Sequence, residues 1–192
     1  MNGFIMHVGA MNVVDIDWTI KRQRTIDEVL SALPSDAPER PFFESDGPFH
    51  RSFPDRRFHC WGVPPKALPA FERTNIGDLV LFAPHIGVHG GGITHIGVVR
   101  AICPVAAWPA SRILWPKTPD HRLFPWLFFF EAESGFRDWH SFLTDMGYGA
   151  RWNPRGWYRR IEDEHFISFG GVRHYLDFIR REGHFIPTGR NA

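Results

Sequence analysis

Four tryptophan-bearing stretches carry the residue types best suited to chemistry on a flat ligand. Trp61-Gly62 ends one apolar run, and Phe124-Pro125-Trp126 opens another. Ser111-Arg112-Ile113-Leu114-Trp115-Pro116-Lys117 sets an indole between two cations beside a proline. The block from Arg151 to Arg160 interleaves Trp152, Trp157 and Tyr158 with Arg151, Arg155, Arg159 and Arg160. Indoles at strand ends and in loops are less enclosed than those inside an apolar face. Two or three converging rings sandwich a planar heterocycle, while arginine and lysine take the flanking phosphates. The plainer outcome is that the same rings pack a small core and the cations are solvated.

Other chemistries have weaker support. His85-Ile86-Gly87-Val88-His89-Gly90-Gly91-Gly92 is rich in glycine, but no Gly-Lys-Ser/Thr follows and the next run reads as a strand. A hairpin connection is expected there, not a phosphate cradle. His85, His89 and His95 lie close together, yet no HExxH and no finger-spaced cysteine pair accompanies them, so no metal is expected. Cys60 sits between Phe58 and Trp61, as a buried thiol would. Glu131-Ala132-Glu133 has the two-residue spacing of a nuclease carboxylate pair without the lysine partner such a site uses. Asp78 after Gly77 reads as a turn residue opening a strand.

The elements that must position these residues follow from pattern. Phe4 to Val8 is a short strand candidate. Thr25 and Glu28 have capping-box spacing ahead of Ile26, Val29, Leu30 and Leu33, one helical face that Pro34 stops. Pro34 to Asp55 is an irregular, proline-rich segment, so residues 1–55 are expected to be an N-terminal extension packed on a main domain of residues 56–192. In that domain Arg57–Val63, Ile76–Phe82, Ile93–Ile102 and Phe124–Glu131 read as strands. Lys66–Arg73 and Ala106–Trp115 read as short helical segments. Phe136, Trp139, Leu143 and Met146 mark one further helix, and Val172, Tyr175, Leu176 and Ile179 another. Short strands in the middle with helices at the edges predict an α+β fold, a small curved mixed β-barrel flanked by helices.

Composition bounds the function classes. The 192 residues carry 22 Lys plus Arg against 21 Asp plus Glu, so a uniformly basic coat is excluded while a local basic face is not. Two cysteines, Cys60 and Cys103, exclude a disulfide framework. The longest apolar run, Trp126 to Phe130, is far shorter than a membrane span, and residues 1–20 lack a secretory layout. A cytoplasmic protein with no membrane partner is expected. Eight tryptophans and eighteen phenylalanines bring the aromatic share to 15%, which must serve a core, a recognition surface, or both.

The order of motifs resembles the EVE and YTH branches of the PUA-like superfold over residues 57–147. The similarity lies in Phe58-His59-Cys60-Trp61-Gly62, Ile76-Gly77-Asp78-Leu79-Val80-Leu81-Phe82, Ile96-Gly97-Val98-Val99, Ser111 to Pro116 and Phe124 to Phe129. The resemblance implies a non-catalytic reader of a modified, methylated base, flipped into an aromatic cage with a basic rim. DNA is favoured over RNA as the partner, with no cofactor. Relatives also work beside modification-dependent restriction nucleases, which implies a partner nuclease and a role in defence. Carried onto this chain, Trp61, Trp115 and Trp126 become the cage, and Ser111 and Gly62 the base-edge contacts. Arg112 and Lys117 then take phosphate, with Arg151 and Arg155 of the basic–aromatic block as further backbone contacts. Two alternatives stand beside it: an ASCH-like ribonuclease of the same superfold, and a protein-interaction module using exposed tryptophans.

Overall fold

The first strand lies inside the sheet. In the computed structural model, which describes residues 1–9, 13–44, 47–84, 86, 91–154 and 158–188, β1 (Gly3–Val8) is followed by α1 (Val13–Thr19). Next come β2 (Arg24–Thr25), α2 (Ile26–Ala32), α3 (Arg40–Phe43), α4 (Pro48–Ser52) and β3 (Arg57–Val63). The chain continues through α5 (Leu68–Phe71), β4 (Leu79–Pro84), β5 (Gly92–Ile102), α6 (Trp108–Leu114), β6 (Trp126–Asp138) and α7 (Trp139–Asp145). It ends with β7 (Tyr158–Ile161), α8 (Val172–Glu182) and β8 (Ile186–Pro187). The strands join in the order β2-β3-β6-β5-β4-β1-β7, and β8 pairs with β6. β1 runs parallel to β4, with Gly3 opposite Leu79, and antiparallel to β7, with Gly3 opposite Ile161.

This is the expected α+β fold, a mixed sheet flanked by helices, but the pairing path is open where a closed barrel was expected. Its two ends, β2 with two residues and β7 with four, do not pair with each other. On the β7 side α5 and its exit fill in: Thr74 Oγ1 lies 2.9 Å from the Tyr158 hydroxyl. Residues 1–55 supply β1, β2 and four helices, and share one sheet and one core with residues 56–192.

Most of the aromatic excess is interior. Phe82 stacks on Phe130 at 5.3 Å, Phe128 on Tyr158 at 5.6 Å and Phe4 on Tyr158 at 5.0 Å. Gly97 permits this, because a Cβ there would run into the Phe130 ring. Phe42 and Phe43 of α3 and Phe49 of α4 pack on Phe129, which Phe58 also meets. A second cluster sets Phe142 and Leu143 of α7 and Tyr175 and Ile179 of α8 with Ile5, Leu81 and Ile96.

The capping box at Thr25 forms as its spacing dictates: Thr25 Oγ1 accepts from Glu28 N–H at 3.2 Å, and Glu28 Oε2 from Thr25 N–H at 3.1 Å. One boundary differs. Phe136, expected in a helix, is an exposed residue of β6, and α7 begins at Trp139 behind Asp138, whose carboxylate accepts from Ser141 N–H at 3.0 Å. A cap fixes a helix start more firmly than apolar spacing does. Among the described residues no helix is long and apolar enough to cross a membrane.

Candidate nucleic-acid interface

Trp61 and Trp115, from β3 and the end of α6, do come together. Their centroids are 6.0 Å apart with the rings nearly perpendicular. Phe124 stacks on Trp61 at 5.9 Å and meets Trp115 edge-on at 5.5 Å, while Phe82 closes on Trp61 at 5.8 Å. With exposures of 2% and 0%, these indoles belong to the interior and form no slot open to solvent. The Trp115 indole N–H donates to the Asp15 carbonyl at 3.3 Å, so the ring is anchored as well as enclosed. Ser111 is buried too, and its hydroxyl accepts from Phe124 N–H at 3.1 Å. A Cβ on Gly62 would sit 2.5 Å from the Phe124 carbonyl, which explains the glycine by packing. Trp61, Gly62, Ser111 and Trp115 are thus a packing unit tying β3 and α6 to the entry of β6. The spacing signal was real, but it reported core.

Trp126 stands apart from that unit. It is half-buried, 5.9 Å from Phe71, and its indole N–H is buried without a partner among the described residues. Arg112 is exposed, pairs with Asp120 and donates to the Thr118 carbonyl at 3.2 Å. Lys117, also exposed, lies over the Trp18 ring at 5.5 Å. Arg151 is exposed and adjoins an aromatic stack that motif reading did not assemble. There Tyr148 and Trp152 lie parallel at 3.9 Å, and Trp139 adds a third ring 5.9 Å from Trp152. Arg155, Trp157, His85, His89 and most of the glycine-rich loop lie outside the described residues.

The remaining candidates resolve structurally. Burial pushes the Cys60 and Cys103 thiols up, so both stay neutral and un-nucleophilic. Asp78 accepts from Asn2 N–H at 2.6 Å and Asn75 N–H at 2.8 Å, serving the turn. Glu131 pairs with Arg100 and Glu133 with Arg180. Among the described residues no group of three His, Cys, Asp or Glu side chains is placed to hold a metal ion.

The open site lies elsewhere, along one edge of β6. β3 partners that edge up to His59 opposite Phe130, and β8 takes it up again at Glu133 and Ser134. Between them the Ala132 N–H donates to His59 Nδ1 at 3.1 Å, and the Ala132 carbonyl accepts from Thr188 N–H at 2.8 Å. The resulting notch is a cleft of about 380 Å³, within the range of small-ligand sites. Gln23, Asp55, Arg57, His59 and Thr188 supply polar lining, and Ala132 and Pro187 apolar lining. His59 Nε2 and Thr188 Oγ1 are buried with no partner among the described residues, an arrangement that costs roughly 1–3 kcal/mol for each group. Burial, with the neighbouring His95 adding to it, lowers the His59 pKa to about 4. His95 is lowered to about 4 by its own burial and by Lys21. Both rings are neutral at pH 7.

No protein-family model matches the chain, and no curated protein sequence does. Among solved structures, the chain is similar to the N-terminal domain of Thermococcus gammatolerans McrB bound to m5C DNA, with a TM-score of 0.62 and 14% identity. The similarity covers 95% of this chain and 99% of that one. The two chains share a fold, and the shared fold takes in residues 1–55 as well as the main region of residues 56–192.

Proposed function

We propose that this chain is a non-catalytic reader of DNA carrying a methylated base, with the base turned out of the duplex and bound by the domain. The observation that carries the reading is the match in fold over nearly the whole of both chains to a domain solved on m5C DNA. An open cleft of nucleobase scale and exposed cations at Arg57, Arg112, Lys117 and Arg151 support it. With Trp61 and Trp115 enclosed, Trp126 is the member of the expected cage left to meet a ligand. The stack at Trp139, Trp152 and Tyr148 offers aromatic area for a flanking nucleotide. A modification-dependent restriction nuclease is a fitting partner for such a reader.

The physics fits the task. A methyl group adds only about 1–3 kcal/mol when it fills a matching hollow, so discrimination of ten- to hundredfold is expected. Turning a base out of the stack costs a few kcal/mol, which phosphate contacts must offset. Binding is therefore expected to weaken steeply with salt. The test is a panel of short duplexes carrying cytosine or adenine, methylated or not, read by fluorescence anisotropy at two salt concentrations. Equal affinity across the panel would overturn the reading, and cleavage of the oligonucleotides would replace it with an enzyme.

A further inference from the structure

The notch between β3 and β8 carries more than volume. Ala132 N–H must donate to His59 Nδ1, so Nδ1 presents its lone pair and the neutral ring keeps its proton on Nε2. His59, a residue only 1% exposed, lines the cleft, and nothing among the described residues accepts from its buried Nε2–H. The Thr188 hydroxyl is equally unpartnered, while its backbone N–H remains tied to Ala132. Arg57, at the start of β3, lines the same space, and Asp55 adds a carboxylate acceptor. Glu131 also lines it, but its charge is met by Arg100.

A donor held neutral, a hydroxyl and a carboxylate along one cleft match the edge of an amino-bearing pyrimidine. Such a base presents carbonyl and ring-nitrogen acceptors together with an exocyclic N–H₂ donor. Ala132 and Pro187 provide an aliphatic surface of the kind a ring methyl would contact. We propose that this notch reads the hydrogen-bonding edge of an extruded 5-methylcytosine, with His59 Nε2–H donating to the base and Asp55 accepting from its amino group. In this arrangement the Thr188 hydroxyl pairs beside His59, and Arg57 holds the adjoining phosphate. The inference rests on the reader function and names the residues that perform it. It also relocates the base from the enclosed indoles to a polar edge of the sheet.

The experiment uses the full chain and a duplex with one 5-methylcytosine or one cytosine. Two variants remove the unpartnered groups without their structural bonds. His59→Asn keeps an acceptor near the Nδ1 position for Ala132 N–H and lacks the Nε2 donor, and Thr188→Val keeps the backbone bond. Each variant, with its fold verified by thermal melting, should bind the methylated duplex at least tenfold more weakly and lose most of the preference for it. Imidazole ¹H–¹⁵N spectra of the unsubstituted protein supply a second readout that does not depend on either variant folding. The His59 Nε2–H resonance should shift on adding methylated duplex and not on adding the unmethylated one. If the unsubstituted protein discriminates while both folded variants discriminate equally well, or while that resonance stays put, the notch assignment is overturned and the reader function stands. Absence of discrimination by the unsubstituted protein overturns both.

Discussion

The aromatic interior around Trp61 and the notch beside His59 lie on the same strand, two residues apart, and are built on opposite logic. The rings of Phe82, Trp115 and Phe124 all pack on the Trp61 indole, and the Trp115 N–H is satisfied by Asp15. At His59 two polar groups are out of water with nothing among the described residues to bond, beside an open cleft. The first arrangement lowers the free energy of the fold, and the second raises it. Unmet hydrogen bonding at the edge of a cavity is a stronger pointer to a ligand than an abundance of aromatic residues, because packing alone accounts for the latter.

The largest test breaks the interior. Trp115→Ala should destabilise the protein by about 3–5 kcal/mol through the cavity it leaves. Thermal melting should fall by roughly 10 °C or more for a chain of this length. A small shift, with loss of methyl-base discrimination instead, would return Trp115 to the binding site.

Acid should come next. His59 and His95 have folded pKa values of about 4, below the 6.5 of an unfolded chain. Between those values the unfolded state binds protons that the folded state refuses, so stability is full above pH 6.5 and declines as pH falls toward 4. The loss is on the order of 3 kcal/mol for each ring and is measurable by urea unfolding across that window. A flat profile would mean that the rings are hydrated and the notch is wetter than described.

Arg151→Gln should weaken binding to methylated and unmethylated duplexes alike, and lower the slope of affinity against salt by about one phosphate contact. A selective loss for methylated DNA would instead place Arg151 at the base. The smallest effect is expected for stability at Thr188, whose hydroxyl has no bond among the described residues to lose. Thr188→Val should change unfolding free energy by under about 0.5 kcal/mol, or raise it slightly. A clear destabilisation would reveal a protein partner for that hydroxyl and weaken its role toward a ligand.

Local signals were legible in the chain. The Thr25 box, the Gly-Asp turn into β4, the short helix across Pro109 and the helix ending at Gly183 all follow from capping, turn chemistry and spacing within a few residues. β1 was read as a strand but not as one placed inside the sheet, because nothing in Phe4 to Val8 says that its neighbours come from residues 79–84 and 158–161. β7 and β8 leave no mark in the sequence for a related reason. They are four and two residues long, too short for a period, and they exist because a partner strand offers an edge.

Sequence by itself determined the α+β class and the placing of α2, α5, α6 and α8, and left open how the aromatic residues divide between core and surface. The tertiary structure alone decided which tryptophans are enclosed, that the sheet stays open, and that His59 faces a cleft with an idle donor. The division has a physical cause. Caps and turns are satisfied by atoms a few bonds away, whereas burial and an unmet hydrogen bond depend on what arrives from seventy residues further along.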